Sequence, residues 1–280
     1  LKGLRFMGHH IKLKDPDHPV ICSGNIKYIN PNLPIILNDS VDVIESQYYP
    51  FRRDVTYDSY DYEYQQDIIK NVIEQHWEKT KNLLAGSHIK WWAIIQACKY
   101  KNEPSNEYKR YPSGPELFLQ AYLAVSRGAK GVLAFIYGDH RRDTSYVRYF
   151  RAALDIWNSK ADPRNVKIIS SPERQYSIYD TLKLVFSELK KYGPTLMALE
   201  PEYGFLATGE YDTIPPACYI KSVSGDYIEA ATFKKYNGQD YFMIINRICN
   251  TGNSGEIGIP APPQTVTVYF HNLLANQCYT

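Results

Sequence analysis

The chain has 280 residues, 44% of them apolar and 22% charged, so it can bury a substantial core and is not a disordered polymer. Its 32 basic against 30 acidic side chains leave a net charge of +2, which gives no electrostatic case for nucleic acid or an anionic membrane. No apolar run is long enough to span a bilayer.

Residues 4–14 place Leu4, Met7 and Ile11 on one helical face and end in lysines, as the last turns of an amphipathic helix do. The chain thus opens inside a helix, and we expect it to be part of a longer protein. Asp15-Pro16-Asp17 breaks that helix. Residues 18–24 read as a short buried strand with His18 as a structural polar contact. Asn38-Asp39-Ser40 fits a glycosylation acceptor, which matters only if the protein is secreted from a eukaryote.

Residues 41–49 form the second expected strand. Val41, Val43 and Ile44 are β-branched, and Pro50 ends the ladder because it has no N–H to donate. Alternation places Val43, Glu45, Gln47 and Tyr49 on one face, which passes from apolar to carboxylate to amide to phenol. A strand carboxylate is costly to bury unless it has partners or a task. A long Tyr- and Asp-rich loop follows over 52–66.

The spacing of Ile68, Ile69, Val72, Ile73, His76 and Trp77 predicts a helix over 67–84, closed by Gly86. Residues 90–97 are the third strand, with Trp92, Ile94 and Gln96 on its alternate face. Ser113-Gly114-Pro115-Glu116 is a capping box before a helix over about 116–127. Residues 131–137 are the fourth strand, leading into Asp139-His140-Arg141-Arg142. Helices are expected over 146–158 and 178–192, the second stopped by Gly193-Pro194. Strand–helix alternation at this spacing requires parallel pairing.

Beyond Pro201 the helical period disappears. Residues 203–208, 219–223, 227–236, 239–246, 256–259 and 265–270 read as short antiparallel strands, with Asn237-Gly238 a hairpin turn. Five cysteines, with no CxxC spacing, offer no zinc site, and Cys218 with Cys249 is a possible bridge that spacing cannot establish. No metal or cofactor is expected; a metabolic α/β enzyme with a nucleotide cofactor is disfavoured because no glycine-rich phosphate loop follows any strand. The 25 tyrosines, 10 phenylalanines and 4 tryptophans exceed what a core needs, and exposed rings suit flat or ring-shaped ligands.

The four strand ends resemble a family. Residues 15–20, Asp42-Val43-Ile44 through Tyr49-Pro50, Ile94-Ile95-Gln96, and Gly128-Ala129-Lys130-Gly131 before Phe135-Ile136-Tyr137 look like strands five to eight of (β/α)8-barrel glycoside hydrolases of the β-galactosidase and β-glucuronidase type. The resemblance implies half of a TIM barrel over residues 1–200 and an antiparallel β-sandwich over 201–280. It implies an active rim at the C-terminal strand ends, as barrels generally have. The family's acid follows strand four, which this chain lacks. Its nucleophilic Glu ends strand seven, where Gln96 stands, an amide that cannot form a glycosyl-enzyme.

Glu45 and Asp139 remain as candidate catalytic carboxylates. Glu45, among apolar neighbours, suits the protonated acid, and Asp139, beside His140, Arg141 and Arg142, suits the ionised partner. Candidate substrate-binding residues are Asn25, Gln47 and Gln96, as bonds to sugar hydroxyls, and Tyr48, Tyr49, Trp92 and Tyr137, as stacking faces. The expected function is acid/base-assisted cleavage of an oligo- or polysaccharide, in an extracellular or periplasmic location. The alternative is a catalytically silent carbohydrate-binding or structural surface protein. Four parallel strands leave two open edges, so we expect the barrel's other half, another chain or a second copy to cover them.

Overall fold

The computed structural model describes residues 2–24, 40–51, 69–102, 107–109, 112–135, 148–151, 154–155, 167–168, 178–206, 214, 216–251, 259–260 and 263–271. Helix α1 (Lys2–Lys14) ends in Lys12 and Lys14, which complement the negative end of its dipole. Lys12 also reaches Asp42 Oδ1 at 2.5 Å, and Asp42 Oδ2 accepts the Val20 N–H at 2.8 Å. One carboxylate therefore ties α1 to the starts of β1 (Ile21–Gly24) and β2 (Val43–Gln47).

The helix expected over 67–84 is two segments. A π-helix over Ile69–Glu74 runs into α2 (Gln75–Leu84), and Gly86, at φ +77°, makes the turn beyond. Strand β3 (Lys90–Gln96) follows, then a short antiparallel excursion, β4 (Lys99–Asn102) and β5 (Glu107–Lys109), that periodicity does not reveal. Helix α3 (Gly114–Ser126) opens on the expected capping box: Ser113 N–H donates to Glu116 Oε2 at 2.7 Å, and Glu116 N–H to Ser113 Oγ at 3.3 Å. Gly128 closes it at φ +91°, where a side chain would also meet the Pro201 ring at 2.9 Å.

Strand β6 (Gly131–Phe135) leads to β7 (Arg148–Arg151), β8 (Leu154–Asp155) and β9 (Lys167–Ile168). Within the helix expected over 146–158, the described residues 148–151 and 154–155 are strand instead. Tyr149 and Phe150 are strong strand formers, and β7 pairs antiparallel with β4 in register Tyr100 to Phe150, so tertiary pairing overrides helical spacing. Helix α4 (Ile178–Ala198) does not stop at Gly193-Pro194 but carries Pro194 inside it. Its final carbonyls are held by Lys130, whose ammonium donates to Met197 O at 3.0 Å and Leu199 O at 2.5 Å. That anchor offsets the bond a proline removes.

The remaining strands are β10 (Pro201–Leu206), β11 (Ile220–Val223), β12 (Ile228–Tyr236), β13 (Gln239–Asn246), β14 (Asn250–Thr251), β15 (Ile259–Pro260) and β16 (Val268–Phe270). Asn237 and Gly238 both take positive φ, as a tight β12–β13 hairpin requires.

The fold is mixed α/β. Strands β1, β2, β3 and β6 form one parallel sheet in sequential order. Antiparallel sheets follow, β10-β12-β13 and β11-β16, which meet over Cys218, Ile220, Val223, Ile228 and Ala230. One face of the parallel sheet is closed by helices. Ile44, Trp91 and Ala93 pack with Ile73, Trp77, Leu119 and Leu123, and Ile95 packs with Leu117, Ile178 and Leu182. Ile245 and Cys249 enter that first cluster, so the antiparallel part shares the helix-side core. No bridge joins Cys218 to Cys249, which lie in separate clusters.

Candidate functional site

Alternation along the parallel strands sends a second set of side chains to the face away from the helices. The register aligns Ser23, Glu45, Trp92 and Gly131 in one row across the four strands. The next row carries Gln47, Ile94 and Leu133, and the last carries Gln96 and Phe135 at the C-terminal strand ends. This far face is unevenly covered. Val43 and Ile94 are buried, Glu45, Gln47, Trp92 and Phe135 are half-buried, and Ile21 and Leu133 are 41% and 37% exposed.

Trp92 has a built seat. A Cβ on Gly131 would come within 2.7 Å of Trp92 Cδ1 and 2.8 Å of Cγ, so the glycine leaves the space in which the indole lies. Trp92 and Glu45 share a row on neighbouring strands, with the indole leaning over Gly131, on the side away from Glu45. Tyr49 crosses the end of β3 to stack on Phe135, with ring centroids 5.2 Å apart, and its hydroxyl donates to Gln47 Oε1 at 3.1 Å. Burial, with a contribution from Cys98, raises the Tyr49 phenol well above its ordinary value, so it remains a donor.

Two candidates face elsewhere. Tyr48 has the parity of Ile44 and Ser46 and packs on His76 at 4.8 Å, against the helix-side core rather than the far face. Gln96 sits at the rim but is fully buried. Its Oε1 accepts the Phe51 N–H at 3.0 Å and its Nε2 donates to Cys98 O at 3.0 Å, so the amide staples backbone and offers nothing to a ligand. Gln120 holds the same residue's main chain, accepting its N–H at 2.9 Å and donating to its carbonyl at 3.2 Å. Asn25, Tyr137 and Asp139 lie outside the described residues, with His140, Arg141 and Arg142.

The helix side has its own polar groups. Ser46 Oγ lies 2.8 Å from His76 Nε2 and 3.1 Å from Thr80 Oγ1. Burial, then Lys79, pushes the imidazole down to about 4, so it is neutral. Ser46 and Thr80 have no exposed surface, so this serine–histidine pair fastens α2 to β2 and meets no substrate. A cavity of ≈ 630 Å³ also lies on this side, between α3, α4 and β13, lined by Phe118, Tyr122, Leu184, Met243 and Ile248. It is separated from Glu45 by the sheet.

Sequence reasoning missed Phe135 and Gly131 as parts of the far face. Phe135 had the signal, since it shares parity with Leu133, whereas Gly131's role depends on the neighbouring strand. Among the described residues no group of three or more His, Cys, Asp or Glu side chains could hold a metal ion, and no helix is long and apolar enough to cross a membrane. No protein-family model matches the sequence, and no curated protein matches it either.

Proposed function

We propose that the protein is a carbohydrate-active protein of the (β/α)8 glycoside hydrolase type, with the far face of the parallel sheet as its glycan surface. The observation that carries this reading is one sheet face on which Glu45 and Trp92 share a row, with the indole over Gly131 and with Gln47 and Tyr49 toward the strand ends. An indole stacks on a pyranose, an amide and a phenol bond its hydroxyls, and a carboxyl can protonate a glycosidic oxygen. In this reading Glu45 fills the role of the acid, and Asp139, outside the described residues, is the carboxylate partner expected from the sequence. This reading takes the parallel sheet as half of a barrel, supported by its sequential order and its one helix-covered face, and the sheets after Pro201 as a sandwich, supported by their shared apolar cluster. Further strands cover the exposed Ile21 and Leu133 and complete the cleft. This reading goes with an extracellular or periplasmic location.

A second reading, a silent glycan binder, is favoured by one observation. At the rim position where the retaining family keeps its nucleophile, the Gln96 amide is consumed by Phe51 and Cys98. The test is a panel of aryl glycosides and immobilised oligosaccharides, with the full chain, Glu45→Gln and Asp139→Asn. Turnover lost in Glu45→Gln supports hydrolysis. Binding without turnover supports the silent form. Neither binding nor turnover on any glycan overturns the carbohydrate reading.

A further inference from the structure

The joint between the helix layer and the antiparallel sheet is polar and buried. Glu74 ends the π-helix, Arg127 follows α3, Glu229 lies on β12 and Arg247 follows β13. Arg247 Nη1 stands 2.5 Å from Glu74 Oε1, and Arg127 Nη1 donates to Glu229 Oε1 at 2.8 Å. Longer contacts close the ring: Arg127 to Glu74 at 3.6 Å and Arg247 to Glu229 Oε2 at 3.7 Å. Glu229 and Arg247 are almost completely buried. Glu78, at the rim, is 3.6 Å from Arg127 Nε and 3.0 Å from Lys81, and Lys70 stands four residues before Glu74 on the same helix. Cys249 is the remaining titratable group near Arg247.

One acceptor in this ring lacks a donor. Glu229 Oε1 takes the Arg127 bond, but the buried Oε2 accepts no hydrogen bond. The Glu74 carboxyl is within hydrogen-bond reach of Glu229. Two carboxylates in contact repel, whereas one proton between them supplies the missing bond. We propose that Glu74 and Glu229 form a proton-operated latch that fastens the C-terminal antiparallel sheet to the helix layer when Glu74 is protonated and loosens it when Glu74 ionises.

Burial, then the charge of Glu229, raises Glu74 to about 7 against the pull of Arg127 and Arg247. Burial also works to raise Glu229, but Arg127 and Arg247 overcome it and hold that carboxyl below its ordinary value. The sign follows from linkage. A carboxyl raised in the folded state stabilises fully below its unfolded value, and that stabilisation is lost as pH rises through about 7. His76 works in the opposite sense. Its depressed value favours the fold above the ordinary imidazole range, and that contribution is lost as pH falls toward about 4. The two partly cancel in the native protein, so the informative quantity is the difference between it and Glu74→Gln.

Gln at position 74 keeps a donor for Glu229 and cannot ionise. Thermal unfolding of the full chain and Glu74→Gln from about pH 5 to about pH 8 should show near-equal midpoints at the acid end and a lead of several degrees for Glu74→Gln at the alkaline end. Amide exchange in β12, corrected for its intrinsic pH dependence, should rise several-fold with pH in the native chain and stay level in Glu74→Gln. A midpoint difference that does not change with pH overturns the latch. Should Glu74→Gln fold poorly, infrared spectroscopy of the native chain decides. A protonated-carboxyl band that titrates away near neutrality supports the latch, and its absence at about pH 5 overturns it.

Discussion

The two faces of the parallel sheet are made by alternate residues of the same strands, yet they have different characters. On the helix side Trp91, Ala93 and Ile95 are buried, and the polar groups there, Ser46, His76 and Thr80, bond one another. On the far side Glu45, Gln47 and Trp92 stay half-buried, and Leu133 is 37% exposed. A strand buried on both faces by helices would be apolar on both. This sheet is largely apolar on one face and mixed on the other, where Val43 and Ile94 are buried but Glu45, Gln47 and Trp92 keep some exposure.

The sharpest way to break that contrast is to cut both faces by the same amount. Trp91 is 4% exposed and its ring lies 5.7 Å from Trp77. Trp91→Ala should cost about 3–5 kcal/mol, as large aromatic deletions in a closed core do. Trp92→Ala, its chain neighbour, should cost clearly less and, on the proposed carbohydrate reading, lower glycan affinity instead. Urea denaturation of both variants measures the gap, and equal losses would remove the distinction between the faces.

Gln96 tests the boundary between them, because it has far-face parity but helix-side burial. Gln96→Ala strands the Phe51 N–H and the Cys98 carbonyl, a loss of about 1–3 kcal/mol. Gln96→Glu is more telling. A carboxylate can still accept from Phe51, but it can no longer donate to Cys98 O, so the variant should be less stable than the native chain and no more active on aryl glycosides. A gain of hydrolysis would show that the position is catalytic ground held silent by the amide.

The strands and their parallel pairing were legible because the apolar runs are short, continuous and separated by helix signals such as Ser113 and Glu116. The strand β7 was not, because Arg148-Tyr149-Phe150-Arg151 becomes strand only by pairing with β4, a contact that no local period encodes. The end of α4 was hidden for the same reason, since Lys130 is remote in sequence from the carbonyls it holds. Parity correctly put Glu45 and Gln47 on one sheet face with Trp92, and applied strictly it would have put Tyr48 on the other. The amide of Gln96 read as sugar-binding because its type is suitable, but its partners are backbone groups that sequence leaves unassigned. The buried ring of Glu74, Arg127, Glu229 and Arg247 did leave a trace. Glu229 and Arg247 interrupt otherwise apolar strand segments, and a lone charge in such a run asks for an opposite one.

The smallest change separates the shape of the far face from its chemistry. Gly131→Ala adds one methyl group where Trp92 Cδ1 lies, 2.7 Å from the new atom. The contact is to the near end of the indole, not to a flexible tip, so the ring must turn or lift. Backbone strain is not involved, because only the close approach demands glycine here. Gly131 and Trp92 are half-buried, so the ring has room to move toward solvent and the extra methyl should cost about 1 kcal/mol, the low end for an overpacked site, lowering the unfolding midpoint only a little. Tryptophan fluorescence should nevertheless shift, and affinity for any glycan that stacks on Trp92 should fall several-fold while Glu45 is untouched. Lost affinity without lost stability would show that the far face is shaped for a ligand. Unchanged affinity would leave Trp92 as packing and move the aromatic platform to Tyr49, which rests on Phe135 and does not depend on Gly131.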